Sequence, residues 1–156
     1  MSMKEVVVVT GANGFIGRSL VSRLSQAYRV VGLDRPEPNA ADRPDQIAVD
    51  LGNDRSVAAA LATIRERYGA RIASVIHLAA YYDISGEPNP LYDQITVQGT
   101  RRLIDGLQSF ECGQFVFAST MLVHRPTYRR GARIDEHQPI EPAWAYPQSK
   151  VRAEGL

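Results

Sequence analysis

The stretch "EVVVVTGANGFIGRSLVSRLSQA", residues 5–27, decides the fold. The β-branched run Val6–Val9 is bounded by Thr10 and Gly11 and reads as a strand buried on both faces. Beyond the glycines, Ile16, Leu20, Leu24 and Ala27 recur at helical spacing, so a helix follows the strand directly. Between the two, Gly11 permits a tight turn and Gly14 lets backbone approach a pyrophosphate. Gly17 lets the helix pack closely on the sheet. The helix start offers free N–H groups and the positive end of its dipole to phosphates. Gly11, Asn13, Gly14, Phe15, Ile16 and Gly17 are therefore candidate nucleotide-binding residues.

The pattern then repeats. "YRVVGLD" (28–34) and "DQIAVDL" (45–51) read as a second and a third strand. A helix over 56–68 presents Val57, Leu61, Ile64 and Tyr68 on one face, with Asn53 or Asp54 as cap and Gly69 as stop. "ASVIHLAA" (73–80) is a fourth strand and "GQFVFAST" (113–120) a fifth. Between them, "PLYDQITVQGTRRLIDGLQS" (90–109) reads as one long helix, with Leu91, Ile95, Leu103 and Leu107 inward and the arginines outward. Residues 124–144 carry three prolines and no clear period, so they read as a loop. A final helix begins near Tyr146. Strands alternating with helices give right-handed βαβ units. The expected fold class is α/β, a doubly wound Rossmann-type parallel sheet in the order 3-2-1-4-5, lacking the sixth strand that this order normally accepts.

Two further carboxylates fall at strand ends. Asp34 can accept hydrogen bonds from both hydroxyls of an adenosine ribose and would repel a 2′-phosphate. This favours NAD over NADP, although Arg35, next in the chain, could pair with that phosphate. Asp50 could accept from an adenine amine while Leu51 packs on the ring. The composition, with 44% hydrophobic and 22% charged residues and a net charge of +1, gives no electrostatic reason to expect nucleic acid or a membrane surface as partner. The apolar run at the N-terminus is too short for a signal peptide or a membrane span. With Cys112 as the only cysteine, a reducing, cytoplasmic location is expected, and Cys112 itself reads as inert. Arg125, Arg129, Arg130 and Arg133 read as a solvated loop, with contact to an anionic substrate as the alternative. Tyr146 and Lys150, four residues apart, can form a proton-transfer pair on one helix face.

Taken in order, "TGANGFIG", Asp34, the Asp50-Leu51 pair, "HLAA" (77–80), "TVQGT" (96–100), "FVFAST" (115–120) and the Tyr146/Lys150 pair resemble the extended short-chain dehydrogenase/reductase family, in its NAD-dependent epimerase/dehydratase group. The resemblance implies that Leu78, Ala79 and Ala80 line the cofactor and that His77 is structural. It places Thr120 at the hydroxyl position that bonds the substrate oxygen, with Ser119 as runner-up. Tyr146 becomes the acid/base, its phenol (ordinarily near ~10) brought down by Lys150 and an oxidised nicotinamide. Lys150 also holds the nicotinamide ribose. Thr96, carried over as a cofactor neighbour, stands where the family usually has asparagine, so a hydroxyl only partly replaces the amide's hydrogen bonding to backbone or cofactor. His124 and Arg125 replace the tyrosine and glycine of the family's "VYG". Met121 and Leu122 occupy the positions of the acid pair of sugar-nucleotide 4,6-dehydratases, which argues against that reaction.

The resulting expectation is an NAD-dependent epimerase or dehydrogenase/reductase acting on a secondary alcohol, a nucleotide sugar among the candidates. It works by tyrosinate acid/base chemistry with hydride transfer to nicotinamide. The alternative is a non-catalytic NAD(P)-sensing or scaffold domain. Residues 1–156 form one NAD(P)-binding domain, expected to be a fragment of a longer two-part enzyme without its C-terminal substrate domain and inactive alone. No metal site is expected; the partner is a small molecule, and a homodimer is an expectation for the full-length form.

Overall fold

The computed structural model describes residues 4–36, 45–83 and 85–156. In chain order the elements are β1 (Val6–Thr10), α1 (Phe15–Leu24), β2 (Arg29–Asp34), β3 (Gln46–Ala48), α2 (Asp54–Tyr68), β4 (Arg71–Ile72) and β5 (Ser74–His77). A π-helical turn, Tyr92–Val97, then runs into α3 (Gln98–Leu107), followed by β6 (Glu111–Cys112), β7 (Phe115–Phe117), a 3₁₀ turn (Met121–Val123) and α4 (Ala145–Glu154).

The main sheet is parallel throughout, in the order β3-β2-β1-β5-β7. β4 and β6 form a separate two-stranded ladder. Counting main-sheet strands alone, this is the expected 3-2-1-4-5 order. Alternation along β1 divides the core. Val8 joins Val31, Leu33, Ile64 and Leu103 on one face, whereas Val7 and Val9 join Val30, Val21 and Leu24 on the other.

The cap of α2 is Asn53, whose side-chain oxygen accepts from the Ser56 N–H at 3.1 Å. Asp54 is used differently, pairing with Arg102 of α3. The helix stops at Gly69, which has φ +87°.

Two local expectations change. Ile16 is 60% exposed and Ala27 is exposed too, so they do not mark the inner face of α1. Gly17 is pressed against the β1–α1 turn and sets the helix rotation, which turns Val21 and Leu24 inward and Ile16 out. The helix expected over 90–109 opens as a π turn, a widened coil that recurs at functional sites. Leu103 and Leu107 are buried as expected. Arg101 points outward, but Arg102 folds back to donate to the Leu51 and Gln94 carbonyls at 3.2 and 3.1 Å. Residues 124–144 are irregular apart from one antiparallel bridge, His124 to Ile140.

Candidate functional site

At the carboxyl ends of β1, β2 and β5 lies a cleft of about 470 Å³. Its floor is the β1–α1 turn. Gly11 takes φ +69°, a conformation that favours glycine, and its N–H donates to the Leu33 carbonyl at 2.9 Å. A Cβ on Gly17 would stand 2.1 Å from the Gly11 carbonyl oxygen, so only glycine lets α1 start so close to the turn. The N-cap of α1 is Gly14, which offers no side-chain acceptor, and the first turn has no acidic residue. Its N–H groups are thereby left for an anion. Phe15, 96% exposed, and Ile16 sit in that turn outside the cleft lining, so their contribution is backbone.

Gly11, Asn13, Gly14, Asp34, Arg35, Asp50, Leu51, Leu78, Ala79 and Ala80 all line this cleft. The Asp34 carboxylate braces the turn as well as facing the cleft, accepting from the Asn13 N–H and the Arg35 N–H at 2.8 Å each. Asp50 accepts from the Gly52 N–H at 2.8 Å, and Leu51 is buried beside it. Thr96 lies behind the wall, fully buried, its hydroxyl accepting from the Tyr81 N–H at 3.0 Å.

The three residues expected to do chemistry come from the turn after β7 and from α4. Thr120 caps the 3₁₀ turn, its hydroxyl accepting from the Leu122 N–H at 3.3 Å, and α4 packs on that turn. Ser119 instead donates to the Glu154 carboxylate. Tyr146 is half-buried among aromatic rings: Tyr82 edge-on at 4.8 Å, Trp144 at 5.6 Å and Tyr92 at 6.4 Å. Burial, then the neighbouring phenols of Tyr82 and Tyr92, push the Tyr146 phenol above its ordinary value. Lys150 is 1% exposed, and its ammonium lies 4.2 Å over the Phe117 ring. Burial pulls it down to about 8, with Glu154 opposing. In the protein alone, then, the expected depression of Tyr146 does not develop, because desolvation dominates both groups. Met121 and Leu122 are exposed and carry no proton-transfer group. Arg125 pairs with Glu141 at 2.5 Å, and Arg129, Arg130 and Arg133 are exposed. Cys112 is half-buried, its thiol donating to the Gln114 carbonyl at 3.3 Å.

Residues 7–156 match the family model described as NAD dependent epimerase/dehydratase. The chain belongs to the NAD dependent epimerase/dehydratase family. Among relatives, it is 27% identical to the N-acetyl-α-D-glucosaminyl-diphospho-ditrans,octacis-undecaprenol 4-epimerase of Escherichia coli O157:H7, covering 97% of this chain and 42% of that protein. It is 30% identical to human 3β-hydroxysteroid dehydrogenase type 7, over 99% of this chain and 44% of that one. Among solved structures, the UDP-glucose 4-epimerase of Thermus thermophilus in complex with NAD superposes with a TM-score of 0.77 at 27% identity, over 96% of this chain and 49% of that chain. This epimerase/dehydratase-family chain therefore spans about half the length of such relatives.

Five residues of the cleft lining were not among those expected from the sequence: Leu33, Val49, Tyr81, Tyr82 and Ile95. Tyr81 and Tyr82 line the cleft beside Ala80. Tyr82 also touches Tyr146 and lies 6.4 Å from Trp144, joining the cleft to the Tyr146 ring cluster. A single sequence held no signal for this, since "YYD" after a strand is an ordinary loop. Ile95 enters the lining through the π turn. Among the described residues no helix is long and apolar enough to cross a membrane.

Proposed function

We propose that residues 1–156 are the dinucleotide-binding domain of an NAD-dependent epimerase or dehydrogenase/reductase acting on a secondary alcohol, with a nucleotide sugar as the favoured substrate class. What supports this is an uncapped helix turn and the Asp34 carboxylate in one cleft, with Tyr146 joined to that cleft through Tyr82 and Lys150 set over Phe117 at the end of β7. The residues fit the cofactor. Gly17 admits no Cβ, the α1 turn offers unclaimed N–H groups to a pyrophosphate, and Asp34 and Asp50 offer acceptors to a ribose and an adenine. Bound there, NAD supplies a hydride acceptor. Tyr146 accepts the proton of the substrate hydroxyl, and Thr120 holds the same oxygen. The resting phenol is a proton donor, because its pKa is raised. Its base form requires added positive charge beside it, which Lys150 and an oxidised nicotinamide provide together.

Trp144 is the only tryptophan and touches Tyr146, so its fluorescence reports on this end of the site. Saturable quenching by NAD, weakened in Asp34→Ala and retained in Tyr146→Phe, is the expected result. In a longer form carrying the rest of the enzyme, Tyr146→Phe should abolish turnover. Turnover retained there would remove Tyr146 from the acid/base role, and a wild-type longer form that binds NAD without turnover would leave only the non-catalytic dinucleotide-binding reading. No NAD binding in either form would remove the proposal.

A further inference from the structure

His77 is fully buried and takes no part in the chemistry above, yet it lies directly before the cleft-lining segment. The Thr100 hydroxyl is 2.5 Å from the Thr96 carbonyl oxygen and 3.0 Å from His77 Nε2. A carbonyl only accepts, so the single Thr100 proton goes to Thr96, and Thr100 must accept from Nε2–H. A neutral imidazole protonated on Nε2 has an acceptor at Nδ1. The Thr10 hydroxyl, 2.6 Å away, therefore donates to Nδ1, and its oxygen is left to accept the Ala79 N–H at 3.1 Å. The chain runs in one direction: Ala79 N–H to Thr10, Thr10 to His77, His77 to Thr100, Thr100 to the Thr96 carbonyl. Every donor is used, and Thr10, His77, Thr100 and Thr96 are each 0% exposed.

We infer that this relay makes His77 a positioning residue for the cleft, holding the Ala79 amide and the end of β1 in the geometry that admits the ligand. That the ligand is a dinucleotide rests on the function proposed above. The mechanical link is direct: Thr10 precedes Gly11, and a Cβ on Gly11 would stand 3.0 Å from the Ala79 nitrogen, so the two walls of the cleft touch where the relay joins them. Burial, assisted by the Lys150 charge, holds His77 at a pKa of about 3, so the ring is neutral near neutral pH and the hydrogen-bond partners choose its tautomer. An imidazolium would present N–H at both ends and leave the Thr10 proton without an acceptor. Thr96 adds a parallel tie, since its own hydroxyl holds the Tyr81 amide independently of His77.

Two substitutions in the full 156-residue chain separate positioning from simple core support. In His77→Asn the side-chain oxygen stands near the place of Nδ1 and keeps the Thr10 link. In His77→Gln the amide reaches toward Thr100 and leaves the Thr10 proton unmatched. Both variants should lose stability in urea. Hydrogen exchange of the Ala79 amide should accelerate about tenfold in the Gln variant, as for loss of one buried hydrogen bond, and stay within about twofold of wild type in the Asn variant. NAD affinity, read by Trp144 fluorescence, should follow the same order, and Tyr81 exchange should move in neither. Equal Ala79 exchange in the two variants would overturn the inference. So would nitrogen NMR of wild-type His77 placing the proton on Nδ1, a measurement that needs no variant to fold. Differing exchange with equal NAD affinity would overturn the link to the ligand. If wild type binds no NAD, the dinucleotide reading fails, and the exchange and tautomer measurements still decide the relay.

Discussion

Lys150→Met is the most informative single perturbation. Wild-type Lys150 is 1% exposed as a residue, and its ammonium faces the Phe117 ring at 4.2 Å with no ion-pair partner among the described residues. Burial lowers it from the ordinary 10.5 to about 8. At ~1.4 kcal/mol per pH unit, that gap corresponds to about 3 kcal/mol. Because the folded pKa lies below the unfolded one, the burden is fully present below pH 8, where both states hold the proton. It is relieved as pH climbs from about 8 to 10.5, where the unfolded chain holds a proton that the folded chain has released. Methionine keeps most of the length and the apolar packing and removes the charge. Urea denaturation followed by far-ultraviolet circular dichroism at pH 7, 8.5 and 10 should show wild type gaining about 2–3 kcal/mol relative to Lys150→Met across that range. Tyr68, Tyr92 and Tyr146, all raised, work the other way near pH 10, but they are present in both chains and largely cancel in the difference. A difference that stays constant or widens with pH would refute the reasoning. A buried lysine without an ion pair is a cost that folds accept mainly where chemistry needs it.

Gly17→Ala places a Cβ 2.1 Å from the Gly11 oxygen and 2.8 Å from the Ala12 Cα, both rigid backbone. It should cost about 2–3 kcal/mol in urea and abolish NAD quenching of Trp144. His77, held at about 3 against an ordinary 6.5, makes the fold acid-sensitive, because the unfolded chain takes up a proton that the folded chain refuses. At pH 5, wild type should have lost about 2 kcal/mol relative to His77→Asn, compared with pH 7. Tyr82→Ala uncovers both Trp144 and Tyr146. Trp144 emission should shift to the red, and Tyr146 should ionise at lower pH in an ultraviolet difference titration, because burial and the Tyr82 phenol are among the causes that raise it.

Much of the architecture was legible in the residues because it rests on local periodicity. The β-branched run of β1, the helical face Val57–Leu61–Ile64 and the cap at Asn53 are each specified within a few residues, and right-handed crossovers then leave little freedom in strand order. Where backbone contacts rather than hydrophobic spacing set the geometry, periodicity alone misplaced residues. The rotation of α1 is set by Gly17 against Gly11 and Ala12, so Ile16 faces outward despite its spacing. The π turn answers to packing around Thr96, whose hydroxyl holds the Tyr81 amide of the segment after β5 while its carbonyl accepts from Thr100 one turn on.

By itself, then, the sequence determined the parallel sheet, the glycine turn at the end of β1 and the carboxylate at the end of β2, all features of short windows and βαβ handedness. Only the tertiary structure decided that Lys150 meets the Phe117 ring, that Tyr82 joins the cleft to Tyr146, and that His77 carries its proton on Nε2. These depend on contacts between residues 23 to 67 positions apart, as with His77 to Thr100 and Thr10 to His77, and on the loss of water that burial imposes. Desolvation shifts the pKa values and forces each buried donor to find one acceptor, and neither effect exists until the chain is packed.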